Sequence, residues 1–172
     1  WMANYTLDPH APCDPEPYLV VPSSGANKLA VYDLTTLLPL PTTPFDTCSN
    51  PSRVMMDSNT DVYASCREGS LGGRVRKNTR DGVFLWETQL TACTGARGIA
   101  MSGNGRLFGV CSSGTRAIFE LNPATGAIVQ SLPLANNWYP YGVTPSSDAL
   151  YVAYLSSGVT RIDLATFTES WT

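Results

Sequence analysis

The feature that most constrains this chain is a repeat. Arg53-Val54-Met55-Met56, Arg97-Gly98-Ile99-Ala100 and Tyr141-Gly142-Val143-Thr144 begin 44 residues apart, and a turn and a second apolar run follow each of them, at 62–66, 107–111 and 149–153. In the middle copy the turn is Ser102-Gly103-Asn104-Gly105. A third run follows at 117–121, then the turn Asn122-Pro123-Ala124-Thr125-Gly126, then a fourth run from Ala127. Short apolar runs bounded by Gly, Asn and Pro, with no sustained helical periodicity, read as strands. Each unit is therefore a four-stranded antiparallel meander, and such a unit at this period is a propeller blade, which buries its faces only by stacking on its neighbours. The turn Asn78-Thr79-Arg80-Asp81-Gly82 lies 44 residues ahead of Asn122-Pro123-Ala124-Thr125-Gly126. The glycine closing both turns predicts a positive φ there.

The fold class expected is all-β, a propeller of about four four-stranded blades in this chain, at approximately 17–52, 53–96, 97–140 and 141–172. In the first blade strands two to four are placed at 18–21, 28–34 and 36–40, and the first strand has no visible counterpart. In the second, the glycine-rich connection from Arg67 to Gly73 is read as a mobile loop. Residues 1–16 match no repeat and form an extended N-terminal arm. It carries His10, Cys13 and three prolines, with one strand expected around Tyr5-Thr6-Leu7. The chain opens on Trp1 and not on methionine, which suits either a removed leader or a segment of a longer polypeptide.

Of the 172 residues 43% are hydrophobic, enough for a packed core, whereas 15% are charged, low against the usual quarter. A net charge of −3 carries no footprint for nucleic acid. No apolar run reaches the roughly 18 residues of a membrane span. The one basic cluster, Arg74-Val75-Arg76-Lys77, is read as a solvated strand face.

Four of the five cysteines share a register: 18 residues separate Cys48 from Cys66 and Cys93 from Cys111. Within a blade, the loop entering the first strand and the end of the second lie on one face. Disulfides Cys48–Cys66 and Cys93–Cys111 are therefore expected, against other connectivities and against simple copying of a buried thiol. Each would contribute on the order of 3 kcal/mol, and both would place the chain in an oxidising compartment, whether extracellular, periplasmic or at the cell surface. Cys13 is left unpaired or intermolecular.

Arg97-Gly98-Ile99-Ala100, Pro140-Tyr141-Gly142-Val143, Ala149-Leu150-Tyr151-Val152-Ala153 and Ile162-Asp163-Leu164-Ala165-Thr166 resemble the YVTN and NHL classes of propeller repeat. The likeness covers about residues 17–172. It implies architecture more than function, since such repeats serve adhesion, scaffolding, ligand capture and occasionally catalysis. Members of these classes usually close with six to eight blades, so the ring here is expected to be completed by another segment or another copy. Propellers of the streptogramin-lyase type are expected to carry histidine on one face, and the repeats here have none.

Acid–base or nucleophilic catalysis of the Ser-His-Asp kind needs an imidazole, and His10 is the sole histidine, outside the repeats. No catalytic residue is assigned and the chain is expected not to be an enzyme. Asp57-Ser58-Asn59-Thr60-Asp61 places oxygen ligands at alternate positions, which makes Asp57, Asn59 and Asp61 a calcium candidate, but the following glycine and the distal glutamate of a calcium loop are missing. No other metal or cofactor is expected. Arg53, Arg97 and Tyr141 hold equivalent positions close to the central channel, and the loop Asn136-Asn137-Trp138-Tyr139-Pro140 lies on the same face. Aromatic, Asn and Arg side chains can stack on and hydrogen-bond a sugar or a peptide. Arg53, Arg97, Trp138, Tyr139 and Tyr141 are accordingly the candidate ligand-binding residues, with pairing of the arginines to carboxylates at blade junctions and sealing of adjacent blades by Trp138 as the alternative. Trp86 and Trp171 fall on fourth strands, where packing between blades is expected, and Asn4-Tyr5-Thr6 fits a glycosylation acceptor. These features lead to a secreted or cell-surface module for binding, adhesion or assembly, with a protein partner or self-association. The alternatives are a lectin-like propeller that binds a glycan or small ligand, and a lyase or lactonase-type enzyme completed by a missing segment.

Overall fold

Successive residues of a strand point to opposite faces, so a strand that is apolar at every position needs cover on both sides. Ala117-Ile118-Phe119-Glu120-Leu121 is such a strand, and all five residues are buried. The structure, a computed structural model describing residues 18–67, 72–135, 138–155 and 158–171, supplies that cover by stacking sheets. Its strands are β1 (Tyr18–Ser23), β2 (Lys28–Asp33) and β3 (Phe45–Asp46); β4 (Pro51–Met56), β5 (Val62–Arg67), β6 (Gly73–Asn78) and β7 (Phe84–Gln89); β8 (Cys93–Met101), β9 (Leu107–Gly114), β10 (Ala117–Leu121) and β11 (Ile128–Pro133); and β12 (Pro140–Pro145), β13 (Ala149–Tyr154), β14 (Val159–Asp163) and β15 (Thr168–Trp171). Each group is one antiparallel sheet in sequence order, three strands in the first and four in each of the others. The fold is an all-β propeller. Among the described residues no helix is long and apolar enough to cross a membrane.

Three apolar seams join the sheets. Leu29, Val31, Phe45, Val54, Val62 and Ala64 fill the first. Tyr63, Val75, Trp86, Leu90, Leu107 and Phe119 fill the second. Phe108, Val110, Ile118, Leu150, Val152 and Ile162 fill the third. Neighbours in one strand serve different seams, as Val62 and Tyr63 or Leu107 and Phe108 do. The first strand β8 contacts both β4 and β12, and each of β1, β5 and β9 contacts the first strand of the next sheet.

The first sheet departs from expectation at its outer edge. Residues 36–40 form no strand beyond a single bridge from Tyr32 to Pro39, and the outer strand is Phe45–Asp46, paired with Lys28 and Leu29. Asp33 ends β2 by accepting the backbone N–H groups of Thr35 and Thr36, and Pro39, Pro41 and Pro44 cannot donate to a ladder. The first strands also begin earlier than their repeat motifs, at Pro51, Cys93 and Pro140. The N-terminal arm with His10, Cys13, the strand about Tyr5-Thr6-Leu7 and the Asn4 acceptor, residues 68–71, Asn136, Asn137 and the side chain of Trp171 lie outside the described residues.

Both expected disulfides form, Cys48–Cys66 with its Cα atoms 5.9 Å apart and Cys93–Cys111 with 5.7 Å. Each joins the entrance of a first strand to its second strand, inside a seam. The turn between third and fourth strands behaves as its glycines foretold, with φ of 89° at Gly82 and 76° at Gly126. The matching positions in the outer two sheets are Leu37 and Phe167, at 59° and 54°. Asn122 and Asp163 accept N–H groups from their own turns as Asp33 does. Close packing adds a second reason for glycine. A Cβ on Gly126 would fall 2.6 Å from Trp86, and one on Gly82 would fall 2.6 Å from Phe45, the turn of one blade resting on the fourth-strand aromatic of the blade before.

Gly105 separates the two reasons, because its φ is 81° yet nothing lies within 4 Å of its Cβ position. Chemical denaturation should show Gly105→Ala losing about 1 kcal/mol from the backbone alone. Gly126→Ala should lose about 3 kcal/mol, the difference being the clash with Trp86.

Candidate functional site

The ladder between first and second strands shifts register near its start in three sheets. It skips Ser52 between Pro51 and Arg53, Tyr141 between Pro140 and Gly142, and in the third sheet Thr94 and Arg97 on β8 and Ser112 on β9. Such a bulge bends the strand and re-aims a side chain. Sequence equivalence places Arg53 with Arg97 and Tyr141, whereas the bulge of the second sheet falls one residue earlier, on Ser52. Arg53 still reaches the same place: the Arg53 Cζ lies 4.9 Å and the Arg97 Cζ 5.1 Å from the centroid of the Tyr141 ring. Three blades thus bring Arg53, Arg97 and Tyr141 together. Gly98 assists, since a Cβ there would meet the Tyr141 carbonyl at 3.3 Å.

Arg97 is held from behind. Its Nε donates to Ser112 Oγ at 3.2 Å, Ser112 Oγ donates to the Gly95 carbonyl at 3.1 Å, and Ser65 Oγ of the preceding blade donates to the Arg97 carbonyl at 3.0 Å. Burial pushes its pKa down, and so does the charge of Arg67 and then of Arg53, while Tyr141 works in the other direction. The expected alternative, pairing to carboxylates at blade junctions, is not found: among the described residues neither Arg53 nor Arg97 meets one.

Trp138 and Tyr139 enter β12 beside this cluster but make other contacts. Trp138 packs edge-on against Tyr154 with centroids 5.4 Å apart, and Arg116 lies over the Tyr139 ring at 4.4 Å. Both rings keep much of their surface, 38% and 52%. Trp86 does what a fourth-strand Trp was expected to do: it is buried, meets Tyr63 edge-on and donates its Nε1 to the Pro123 carbonyl of the next blade at 3.1 Å.

The aspartates of the calcium candidate face a lysine. Lys77 Nζ lies 2.8 Å from Asp61 Oδ2 and 3.8 Å from Asp57 Oδ2, while Asp57 Oδ1 accepts the N–H groups of Asn59 and Asp61. The Tyr63 hydroxyl donates to Asp57 at 2.9 Å, and burial followed by that carboxylate pushes the Tyr63 pKa up. Lys77 supplies here the positive charge that a cation would bring. It is only 8% exposed, so the basic run at 74–77 is no solvated face. Arg74 and Arg76 both pair with Glu87.

No family model matches the chain, and no curated protein matches it in sequence. Solved structures match its fold. Streptogramin B lyase is 22% identical with a TM-score of 0.71, over 86% of this chain and 48% of that one. A nidogen/laminin complex chain is 19% identical with a TM-score of 0.70, over 89% and 57%. A protein of unknown function from Bacteroides caccae is 19% identical with a TM-score of 0.68, over 87% and 55%. The likeness is one of fold, the β-propeller, and the chain spans about half the length of each of these structures.

Elsewhere a buried charge is paired within the chain. Arg106 holds Glu120 through two bonds of 2.8 Å, and Gln130 donates to the same carboxylate at 2.6 Å. Arg106, then Gln130, keep the Glu120 pKa below its ordinary value against the opposing effect of burial. A carboxylate depressed in the folded state stabilises it above the unfolded pKa of about 4.3, and that contribution is lost as pH falls through the folded value. Thermal melts should therefore place Glu120→Gln below the wild type at neutral pH. The two curves should converge as pH falls from about 5 to about 2.

Proposed function

We propose that this chain is a binding or assembly module without its own chemistry, built of YVTN/NHL-type propeller repeats and working in an oxidising compartment, extracellular, periplasmic or at a cell surface. The observation that carries the proposal is the meeting of Arg53, Arg97 and Tyr141 from three blades, with neither cation neutralised by a carboxylate among the described residues. Two disulfides within the seams support the compartment. The groups on this face are guanidinium, phenol and hydroxyl. Such groups grip and orient a partner through charge-assisted hydrogen bonds and stacking, and the only histidine is His10, outside the repeats. The partner is a protein or a second copy of the chain.

A lectin-like reading has one specific observation in its favour, the exposed rings of Trp138 and Tyr139 at the entrance to β12. The two readings part on mutation. Native mass under non-reducing conditions and binding to peptide and glycan arrays would be measured for the wild type, Tyr141→Ala and Trp138→Ala. Loss of self-association or peptide binding in Tyr141→Ala alone is the expected result. Glycan hits abolished by Trp138→Ala would establish the lectin, and a turnover that depends on residues of the repeats would overturn both.

A further inference from the structure

The face that binds in the reading above gathers two cations, Arg53 and Arg97, on one ring. Arg67 closes β5 and adds to the repulsion felt by Arg97. Six other basic residues pair with carboxylates, Lys28 with Asp46, Arg74 and Arg76 with Glu87, Lys77 with Asp57 and Asp61, Arg106 with Glu120 and Arg161 with Asp148, while Arg80 and Arg116 lie over the rings of Tyr18 and Tyr139. Arg53, Arg67 and Arg97 meet no carboxylate among the described residues, in a chain with 14 acidic residues against 11 basic ones. Like charges gathered without a counter-ion destabilise the fold, and partial burial of Arg97 deepens that cost.

The ring of Tyr141 stabilises two of the cations through its face, but a ring face brings no negative charge. Arg97 is the better prepared of the two, with its Nε engaged by Ser112 and its backbone carbonyl by Ser65. A guanidinium so fixed presents its terminal N–H donors in the planar fork that matches an oxyanion.

We propose that Arg53 and Arg97, gathered about Tyr141, form an oxyanion site that takes a carboxylate, sulfate or phosphate group of the ligand. The inference rests on the binding role argued above and names the chemistry of its anchor. The group enters as an anion and leaves as one, with no bond made or broken.

The test is a thermal melt and a calorimetric titration of the full chain with sodium sulfate and, separately, sodium acetate, each against sodium chloride at matched ionic strength. Sulfate stabilises proteins in general by exclusion from their surfaces, so the informative quantity is the saturable part of the shift. The wild type and the control Lys28→Gln should show it, and Arg53→Gln/Arg97→Gln should not. Each arginine removed should weaken the anion about tenfold. Should the double variant fail to fold, Arg53→Gln alone gives the reading as an affinity about tenfold weaker than that of the wild type. Acidification separates the sources, since binding of acetate is lost as pH falls below about 4 and binding of sulfate persists. Equal shifts in the wild type and the double variant would overturn the oxyanion site. If they were equal while Tyr141→Ala still abolished partner binding, the site would fall and the binding face would stand; a saturable wild-type shift with partner binding unchanged by Tyr141→Ala would leave the site and remove the binding face.

Discussion

Burial of both faces of β5, β9 and β10 is the constraint on which the rest of this structure depends. Val62 and Tyr63, adjacent in β5, sit in different apolar seams, and so do Leu107 and Phe108 in β9. A single blade would leave one of those faces in water, at roughly 25 cal/mol for each Å² of apolar surface. The blades are for that reason units of sequence but not of stability. Polar contacts then fix the stacking angle: Lys77 Nζ and Trp86 Nε1 both donate to the Pro123 carbonyl of the next blade, Thr88 Oγ1 donates to the Gly126 carbonyl, and Arg106 reaches the Leu164 carbonyl. The disulfides work inside this frame, each closing one hairpin within a seam.

Repetition is preserved at the level of interactions more faithfully than at the level of residues. In the second, third and fourth blades an ion pair links the residue leading into the second strand to one on the third strand: Asp61 to Lys77, Arg106 to Glu120 and Asp148 to Arg161. The polarity is reversed in the third blade, and the pair survives because only the product of the charges matters to its energy. The turn between third and fourth strands shows the same economy, with glycine in two blades and Leu37 or Phe167 in the other two. Phe167 accepts a left-handed backbone while its ring joins the seam, 6.5 Å from that of Phe108.

This difference sets how much was legible beforehand. The period, the sheet order and both disulfide pairings could be read from the chain, because strand spacing and cysteine spacing are local facts that the fold copies. Gly82 and Gly126 were legible for the same reason. The outer strand at Phe45–Asp46 was not, since Thr36-Leu37-Leu38 carries the better apolar pattern and only the Asp33 turn and the prolines exclude it. The burial of Lys77 was hidden too, because its partners Asp57 and Asp61 lie on another strand connection and looked like half of a cation loop. The neighbourhood of Arg53, Arg97 and Tyr141 followed from the period, yet the bulges that aim Arg97 and Tyr141 did not, as they shift a ladder by one residue without marking the sequence.

The contrast between the seams and this face carries the functional argument. Where the chain buries charge for the sake of its own fold, it supplies the opposite charge at bonding distance, as Glu120 for Arg106 and Asp61 for Lys77. Arg97 is partly buried too, and among the described residues it meets no carboxylate, while Arg53 shares the ring of Tyr141 with it. Leucine or glutamine would fill that space without the desolvation and the repulsion, so packing alone gives no reason for an arginine there. Three blades nevertheless turn cationic or phenolic side chains to one point, and two of them do so through a bulge. The same spacing that stacks the blades thus produces a spot that no carboxylate among the described residues compensates, and a ligand that arrives with a negative charge supplies one.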